Sequence, residues 1–280
     1  MPSRRIPFSV HLSYLFVGLL VAFAAITNSY QYSETKRLVT DEVGHRFELI
    51  GRNALDDITN TYQSAALASS LLAKQRLMNA VNLEQRLDSL GWLATALGAQ
   101  ANANAMYMGY ATGDFFMLRP WRGDPKLQAL FDAPPGTGWM VQSIQVINGK
   151  MVGEHLFFTP KMVLIERRVK PDYQYDPRTR DWFTKAMASD GLFVQPPYIF
   201  SSTGEVGTTF ATQTENGFGV AGIDITLRSV NNILQQSKVT PDSRIALVNK
   251  RGEVLSSDLG PVKLVLTADG KGRLPTLDDL

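Results

Sequence analysis

The sequence predicts an α+β chain: an N-terminal transmembrane helix, a long amphipathic helix, then an antiparallel sheet with a helical insertion. Three observations carry this reading. An apolar run from about Leu12 to Ile26 follows Arg4 and Arg5. From Val39 to Tyr62 apolar residues recur at three- and four-residue steps with no proline between them. After Asn104 the pattern changes to short strands separated by turn residues.

The composition bounds the function classes. With 44% hydrophobic residues, a chain of 280 residues can bury a core of one large domain or two small ones. The 28 basic and 26 acidic residues nearly cancel, which argues against a general nucleic-acid binder. There is no cysteine, so disulfides, thiolate catalysis and cysteine metal sites are excluded.

The first element is read from length and flanks. Leu15, Phe16, Val17, Leu19, Leu20, Val21, Phe23 and Ile26 form its centre. Counted from Ile6, the segment reaches the roughly 20 residues that span a bilayer. Arginines on the N-terminal flank hold that end inside, and Tyr14, Tyr30 and Tyr32 suit interfacial positions. The bulk of the chain is then expected outside the inner membrane, in the periplasm. A cleaved signal peptide is the rival reading, since Ala22-Phe23-Ala24 resembles a cleavage site, but that site falls inside the apolar run. A buried core helix is a third.

From Glu34 to about Leu72 the expected helix carries Val39, Val43, Phe47, Ile50, Ala54, Ile58 and Tyr62 on one stripe. A second helix is expected from Leu83 to Leu97. Strands follow at Met106–Tyr110 and Phe115–Leu118, flanking the turn Ala111-Thr112-Gly113-Asp114. Asp132 to Gly138, with Pro134-Pro135-Gly136, reads as a loop. Val141–Ile147 and Met151–Phe158 flank Asn148-Gly149, a type I′ hairpin signal. Met162–Val169 reads as a further strand, and about Arg180–Ser189 as a short helix. Strands at Thr208–Thr214 and Phe218–Ile225 surround Glu215-Asn216-Gly217, and Leu227–Gln236 is helical. Ile245–Asn249 and Glu253–Leu255 then pair across Lys250-Arg251-Gly252 as the opening of another unit.

This order, together with the segment Tyr175-Asp176-Pro177-Arg178-Thr179-Arg180-Asp181-Trp182-Phe183, resembles the double Cache sensor domain of bacterial transmembrane receptors. Pro197-Tyr198 and Gly222-Ile223-Asp224-Ile225-Thr226 extend the likeness, which covers about Glu34 to Ser257. The resemblance implies a PAS-like antiparallel-sheet lobe and a set of parts. Residues 1–11 are the cytoplasmic N-terminus and 12–31 the transmembrane helix. Residues 32–100 are a helical stalk, 101–238 a membrane-distal lobe with the ligand pocket, and 239–280 the start of an incomplete membrane-proximal lobe. It also implies a homodimer through the long helix, with signalling to a cytoplasmic output such as a chemoreceptor signalling domain, kinase, cyclase or HD-GYP phosphodiesterase outside this sequence.

Within the family an amino-acid-binding subgroup uses a recurring set. Tyr175, Arg180 and Trp182 match its carboxylate-holding positions, and Tyr198 and Asp224 those for the ammonium. Phe183 departs, standing where that set has tyrosine, which puts the ligand class in doubt. The chemistry is sound on its own terms. A free amino acid carries both charges on one carbon, so a selective site needs a cation and an anion a few ångströms apart. Arginine offers a planar fork for carboxylate, aspartate a counter-charge, and tyrosine hydroxyls the remaining hydrogen bonds.

Plainer roles stand beside these. Arg180 could pair with Asp176 or Asp181 on the surface. Trp182 and Phe183 could be core aromatics. Asp224 or Thr226 could cap the helix that follows, and Tyr198 could simply pack its loop. Tyr107, Phe115, Met117 and Trp121 could line the pocket, though core packing suits them as well. His11, His45 and His155 show no metal-ligand spacing, and no nucleophile elbow or phosphate-binding loop is present. No cofactor and no catalysis are therefore expected of the region. Ligand sensing is the leading function. A ligand-free periplasmic scaffold is the alternative, and an extracytoplasmic hydrolase a more remote one.

Overall fold

The computed structural model describes residues 8–171, 175–238, 240–259, 262, 265–266 and 272–279, in two compact units, Met1–Asn53 and Ala54–Leu280. Arg4 and Arg5, the expected inward-holding flank, lie outside the described residues. So do several positions between 260 and 271 of the expected second lobe.

α1 runs from Phe8 to Leu72 as one helix of 65 residues. The sequence reading separated a membrane segment from a helix starting at Glu34. The two are continuous because no proline or glycine stands between Thr27 and Glu34. The hydroxyls of Thr27 and Thr40 donate back to the carbonyls of Phe23 and Lys36 instead of competing for the ladder. The part from Leu12 onward contains a window of mean hydropathy 1.8, long and apolar enough to cross a membrane. Leu15, Phe16, Leu19, Leu20 and Phe23 are exposed there. Farther along, Glu42–Arg46 and Glu48–Arg52 pair at four-residue spacing, while Val39, Val43 and Phe47 stay exposed. In the second unit the same stripe is buried. Ala54 and Ile58 pack with Val230 and Leu234, and Tyr62 meets Phe210 edge-on at 5.2 Å.

The expected second helix is two helices, α2 (Leu83–Leu87) and α3 (Leu90–Gly98), divided at Asp88-Ser89. Asn82 caps α2 by accepting from the Gln85 amide at 2.9 Å. Leu83, Leu90 and Leu97 are buried together despite the break.

An antiparallel sheet of eight strands follows, in the order β5-β4-β3-β2-β1-β8-β7-β6. In chain order these are β1 (Ala103–Tyr110), β2 (Phe115–Pro120), β3 (Trp139–Ile147), β4 (Lys150–Phe158), β5 (Leu164–Lys170), β6 (Leu192–Ile199), β7 (Val206–Gln213) and β8 (Gly219–Thr226). Between them lie the helices α4 (Pro125–Phe131) and α5 (Asp181–Met187), and α6 (Leu227–Gln236) closes the run. The β3–β4 turn has the expected handedness, with φ of 52° at Asn148 and 74° at Gly149. Among the α-helices and strands from β1 to α6, two are additions to the sequence reading. α4 is one short run capped by Asp124, with Pro125 at its start. β6 contains Pro196-Pro197, which argues against a strand interior. It is accommodated at the sheet edge with an irregular register between Gln195 and Tyr198. Past α6, β9 (Ala246–Val248) and β10 (Val254–Ser257) form the expected hairpin, and β11 (Val265–Leu266) pairs with β12 (Gly272–Arg273).

Alternation divides the sheet into two faces. Met106, Met108, Phe116, Leu118, Val141, Leu156, Phe210, Ala221 and Ile223 face α1, α2 and α3. Ala105, Tyr107, Phe115, Met117, Ile144 and Ala211 face α5. A buried ion pair fastens α2 to the sheet. Arg86, 1% exposed, donates from Nη2 to Asp114 Oδ2 at 2.5 Å and lies over the Tyr110 ring at 4.4 Å. Asp114 Oδ1 accepts from the Val146 amide at 2.7 Å, so one carboxylate joins the β1–β2 turn, β3 and α2.

Removing one member of such a pair leaves the other charge buried and uncompensated. Arg86→Met is expected to destabilise the chain by about 3–5 kcal/mol. Arg86→Met with Asp114→Asn should recover a large part of that. Urea midpoints of the three proteins check this. Equal midpoints for the single and double variants would refute it.

Candidate functional site

The face of the sheet opposite α1 carries the chemistry. After a one-turn 3₁₀ helix (Pro177–Thr179), capped by Asp176, which accepts from the Arg178 amide at 2.9 Å, the chain passes through Arg180 in an extended conformation and enters α5. α5 lies close on β1 because position 109 is glycine: a Cβ there would stand 2.8 Å from the Trp182 ring. Trp182, Phe183 and Ala186 are buried against the strands as a result.

Four aromatic rings close on one another beneath this helix. Tyr175 meets Phe115 at 4.9 Å, Phe115 meets Tyr107 at 5.5 Å, and Tyr107 meets Trp182 edge-on at 5.0 Å. The Trp182 indole then donates to the Tyr175 hydroxyl at 3.2 Å. These rings, with Met117, Tyr198, Phe200 and Asp224, line a cavity of about 30 Å³. Ser201 and Ser202 of the β6–β7 connection complete its wall.

Asp224 is the charged group at the centre. It sits on β8 opposite Thr209 of β7 and is 7% exposed. Thr209 donates to its Oδ1 at 2.6 Å and Tyr107 to the same oxygen at 2.7 Å. Since the Thr209 proton is so engaged, Tyr198 donates to Thr209, at 2.8 Å. Tyr107 reaches this position because its ring lies flat on Gly222, where a Cβ would fall 2.1 Å from a ring carbon. Burial raises the Asp224 pKa to about 6, against the opposing pull of the Thr209 and Tyr107 hydrogen bonds and the Arg119 charge. Burial also drives the hydroxyls of Tyr107 and Tyr198 well above the usual tyrosine range.

Four of the six residues singled out in the sequence therefore meet at one cavity: Tyr175, Trp182, Tyr198 and Asp224. Arg180 stands beside it, its guanidinium 4.8 Å from the centre of the Tyr175 ring. The plainer role foreseen for Arg180 does not apply. Asp176 pairs with Arg178 and Asp181 with Lys185, and the Arg180 Nε is buried with no hydrogen-bond partner among the described residues. Phe183 is not brought to the cavity; it is 5% exposed and packs edge-on against Trp182 at 5.6 Å. Nor does Asp224 cap α6. Thr226 does, accepting from the Ser229 amide at 3.4 Å. Thr209 was missed from the sequence, although its place across from Asp224 follows once β7 and β8 are paired in register. Tyr107, Phe115 and Met117 line the cavity, while Trp121 lies in a neighbouring one of about 50 Å³ that also reaches Asp224.

Comparison with known proteins finds bacterial receptors and a cyclase. No family model matches the chain. It is 25% identical to adenylate cyclase 1 of Rhizobium meliloti over 193 residues, 68% of this chain and 29% of that protein. It is 38% identical over 84 residues to the methyl-accepting chemotaxis protein PscA of Pseudomonas syringae, covering 29% of this chain and 13% of the relative. McpB of Bacillus subtilis, also a methyl-accepting chemotaxis protein, is 35% identical over 96 residues, 30% of this chain and 14% of its own length. The chain thus spans less than a third of each of these curated relatives. Among solved structures, the sensory domain of the Campylobacter jejuni chemoreceptor Tlp3 aligns with a TM-score of 0.48 at 18% identity, covering 81% of this chain and 77% of that one. The ligand-binding domain of the Pseudomonas fluorescens chemoreceptor CtaA, solved with L-serine, aligns with a TM-score of 0.43 at 20% identity, covering 73% and 67%. The chemotaxis relatives agree with the sensor-domain resemblance read from the sequence.

Two outcomes follow from the geometry. Between about pH 4 and pH 6 the folded chain keeps a proton on Asp224 that the unfolded chain has released, so the cost of this carboxyl grows as pH rises across that window and is constant above it. Relative to the unaltered chain, Asp224→Asn should gain on the order of 3 kcal/mol between pH 4 and pH 7. A pH-independent difference in unfolding free energy would contradict this. Gly222→Ala should displace the Tyr107 ring and lower stability, read as a drop in melting temperature with altered near-ultraviolet circular dichroism.

Proposed function

We propose that residues 101–238 form an extracytoplasmic sensing lobe for a free α-amino acid, held to the membrane by the apolar part of α1. The observation that supports it best is a single aromatic-walled cavity served by two charges of opposite sign, Arg180 beside Tyr175 and the buried Asp224. In this reading Arg180, Tyr175 and Trp182 receive the carboxylate, and Asp224 and Tyr198 the ammonium. Phe183 then acts by holding Trp182 in place. A ligand lacking either group leaves a desolvated charge unanswered, which is the basis of selectivity. At about 30 Å³ the cavity has room for about two waters, so an amino acid enters only as the aromatic walls part.

Transmission has a short route. β8 carries Asp224 and runs directly into α6. Val230 and Leu234 of α6 pack on Ala54 and Ile58 of α1. A ligand that shifts β8 against its neighbours would bias α1 through this contact. The exposed Val39, Val43 and Phe47 favour a second copy packing along α1 as a homodimer. The chemotaxis and cyclase relatives support an inner-membrane receptor whose cytoplasmic output, catalytic or not, is a separate part. Residues 239–280 would begin its membrane-proximal lobe.

The test is a thermal-shift screen of the full chain in lipid discs against amino acids, amines and organic acids. A ligand at a hundredfold excess over its dissociation constant should stabilise by about 2.7 kcal/mol. Arg180→Ala and Asp224→Ala should each abolish the shift. Affinity for an amine-bearing ligand should fall as pH drops below about 6, because the ammonium must then displace the proton from Asp224. A response to amines or acids alone would discard the zwitterion. The small cavity also suits a scaffold that binds no metabolite, and a folded chain with no response to any compound would favour it.

A further inference from the structure

The cavity that holds Asp224 is bounded mostly by elements that yield little. β1, β2 and β8 each have a hydrogen-bonded neighbour on both sides, and α5 is pressed onto β1 at Gly109. The exception is the connection between β6 and β7, residues 200–205. Phe200, Ser201 and Ser202 line the aromatic cavity, while Phe200, Thr203 and Glu205 line the adjoining one of about 50 Å³, so this one segment walls both. Its backbone closes on itself. The Phe200 amide donates to the Glu205 carbonyl and the Gly204 amide to the Phe200 carbonyl, both at 2.8 Å, with Gly204 at a φ of 65°. Phe200 anchors the base of the turn, its ring seated on Gly207, where a Cβ would fall 2.4 Å away. Residues 201–205 can therefore lift on that base without breaking a bond of the sheet ladder.

Two polar ties hold this segment down. Ser202 accepts from Arg119 Nη2 at 2.8 Å. Glu205, its side chain 11% exposed, pairs with Arg228, which also donates from Nη1 to Asp124 at 2.8 Å. Asp124 is fixed in turn, because its other oxygen caps α4 by accepting from the Lys126 amide at 2.8 Å. Arg228 is the second residue of α6. A cation in the first turn of a helix lies at the positive end of the helix dipole, so helix stability does not account for it there; the two carboxylates do. With its side chain 43% exposed, Arg228 makes pairs that solvent weakens, and the tie is releasable.

We propose that residues 201–205 are the lid of the Asp224 cavity and that Arg228 is the latch that keeps it shut. This rests on reading the cavity as a ligand site, which at about 30 Å³ must widen to admit an amino acid. The latch also reaches the signalling helix. Val230 and Leu234, on the same α6 as Arg228, pack on Ala54 and Ile58 of α1. A ligand that props the lid open frees Arg228 from Glu205, and one that lets it close restores the tie. Occupancy is thereby felt at α6 through a charge as well as through β8.

The experiment uses the absence of cysteine from the sequence. Thr203→Cys places a single thiol in the lid, at a position 9% exposed that faces the smaller cavity. Its alkylation rate in the full chain in lipid discs reads lid opening with no ligand present. Adding Arg228→Gln should raise that rate at least about fivefold, and Glu205→Gln should do the same, whereas Asp124→Asn should raise it less because Glu205 still holds Arg228. Raising the salt from about 0.05 M to about 1 M should speed alkylation while the latch is intact and leave the Arg228→Gln rate nearly unchanged. A thiol introduced instead by Ser143→Cys, at a fully buried position of β3, reports general loosening and should stay unreactive in every background. Equal rates with and without Arg228→Gln, or the same rise at position 143, would overturn the lid. If Arg228→Gln does not fold, Glu205→Gln decides by the same criteria. A mixture of L-amino acids without cysteine should change the Thr203→Cys rate. If it does not, while the latch variants behave as expected, the amino-acid reading fails and the lid stands.

Discussion

A carboxylate in the middle of an eight-stranded sheet is the constraint around which the second unit is arranged. Asp224 lies on β8, which has a partner on each side, so its backbone is fully engaged and its side chain must find partners on the sheet face. They come from the two neighbouring strands, Thr209 on β7 and Tyr107 on β1. That choice demands a glycine at 222 for the tyrosine ring to lie on. The same ring forms one side of the aromatic enclosure that meets α5, and α5 in turn needs the glycine at 109. One buried charge thus accounts for two glycines, two hydroxyls and the position of a helix. Its raised pKa reflects a burial that the hydrogen bonds from Thr209 and Tyr107 offset only in part.

Much of this was legible in the sequence, and the reasons for success and failure are physical. Asn148-Gly149 announced its turn because both residues tolerate positive φ. The strands of the central sheet were visible as short apolar runs bounded by turn residues, as expected of strands buried on both faces. Where a signal was local and contradictory, it misled. No strand was read at β6, where Pro196-Pro197 break the pattern; it exists because an edge strand leaves one side of its ladder unused. The leucine spacing from 83 to 97 looked like one helix, yet its buried face persists across a break at Asp88-Ser89. The site was half legible. A motif of residues close in sequence placed Tyr175, Arg180 and Trp182, but Thr209 and Tyr107 join the site only through strand pairing, and no local pattern distinguishes them from core residues.

The site and α1 are joined by elements with little slack. α6 begins within three residues of Asp224, and its cap is a side chain of β8 itself, Thr226. On the far face, Arg86 and Asp114 bind α2 to the β1–β2 turn and to β3. The sheet is therefore held on one side by packing against α1 and on the other by α5, with the polar groups of the cavity between β8 and α5. Movement that admits a ligand has to come from the α5 side or from the β6–β7 connection, where the backbone is least tied into the ladder.

The two outer strands of the sheet bear on how such molecules behave when packed side by side. β6 ends one edge with two prolines and a broken register, and β5 ends the other with Glu166, Arg167, Arg168 and Lys170. The prolines remove amides from one edge, and the charged side chains of the other oppose its pairing with a neighbouring copy. Confined at high density, these domains would crowd without zipping edge to edge into a shared ribbon.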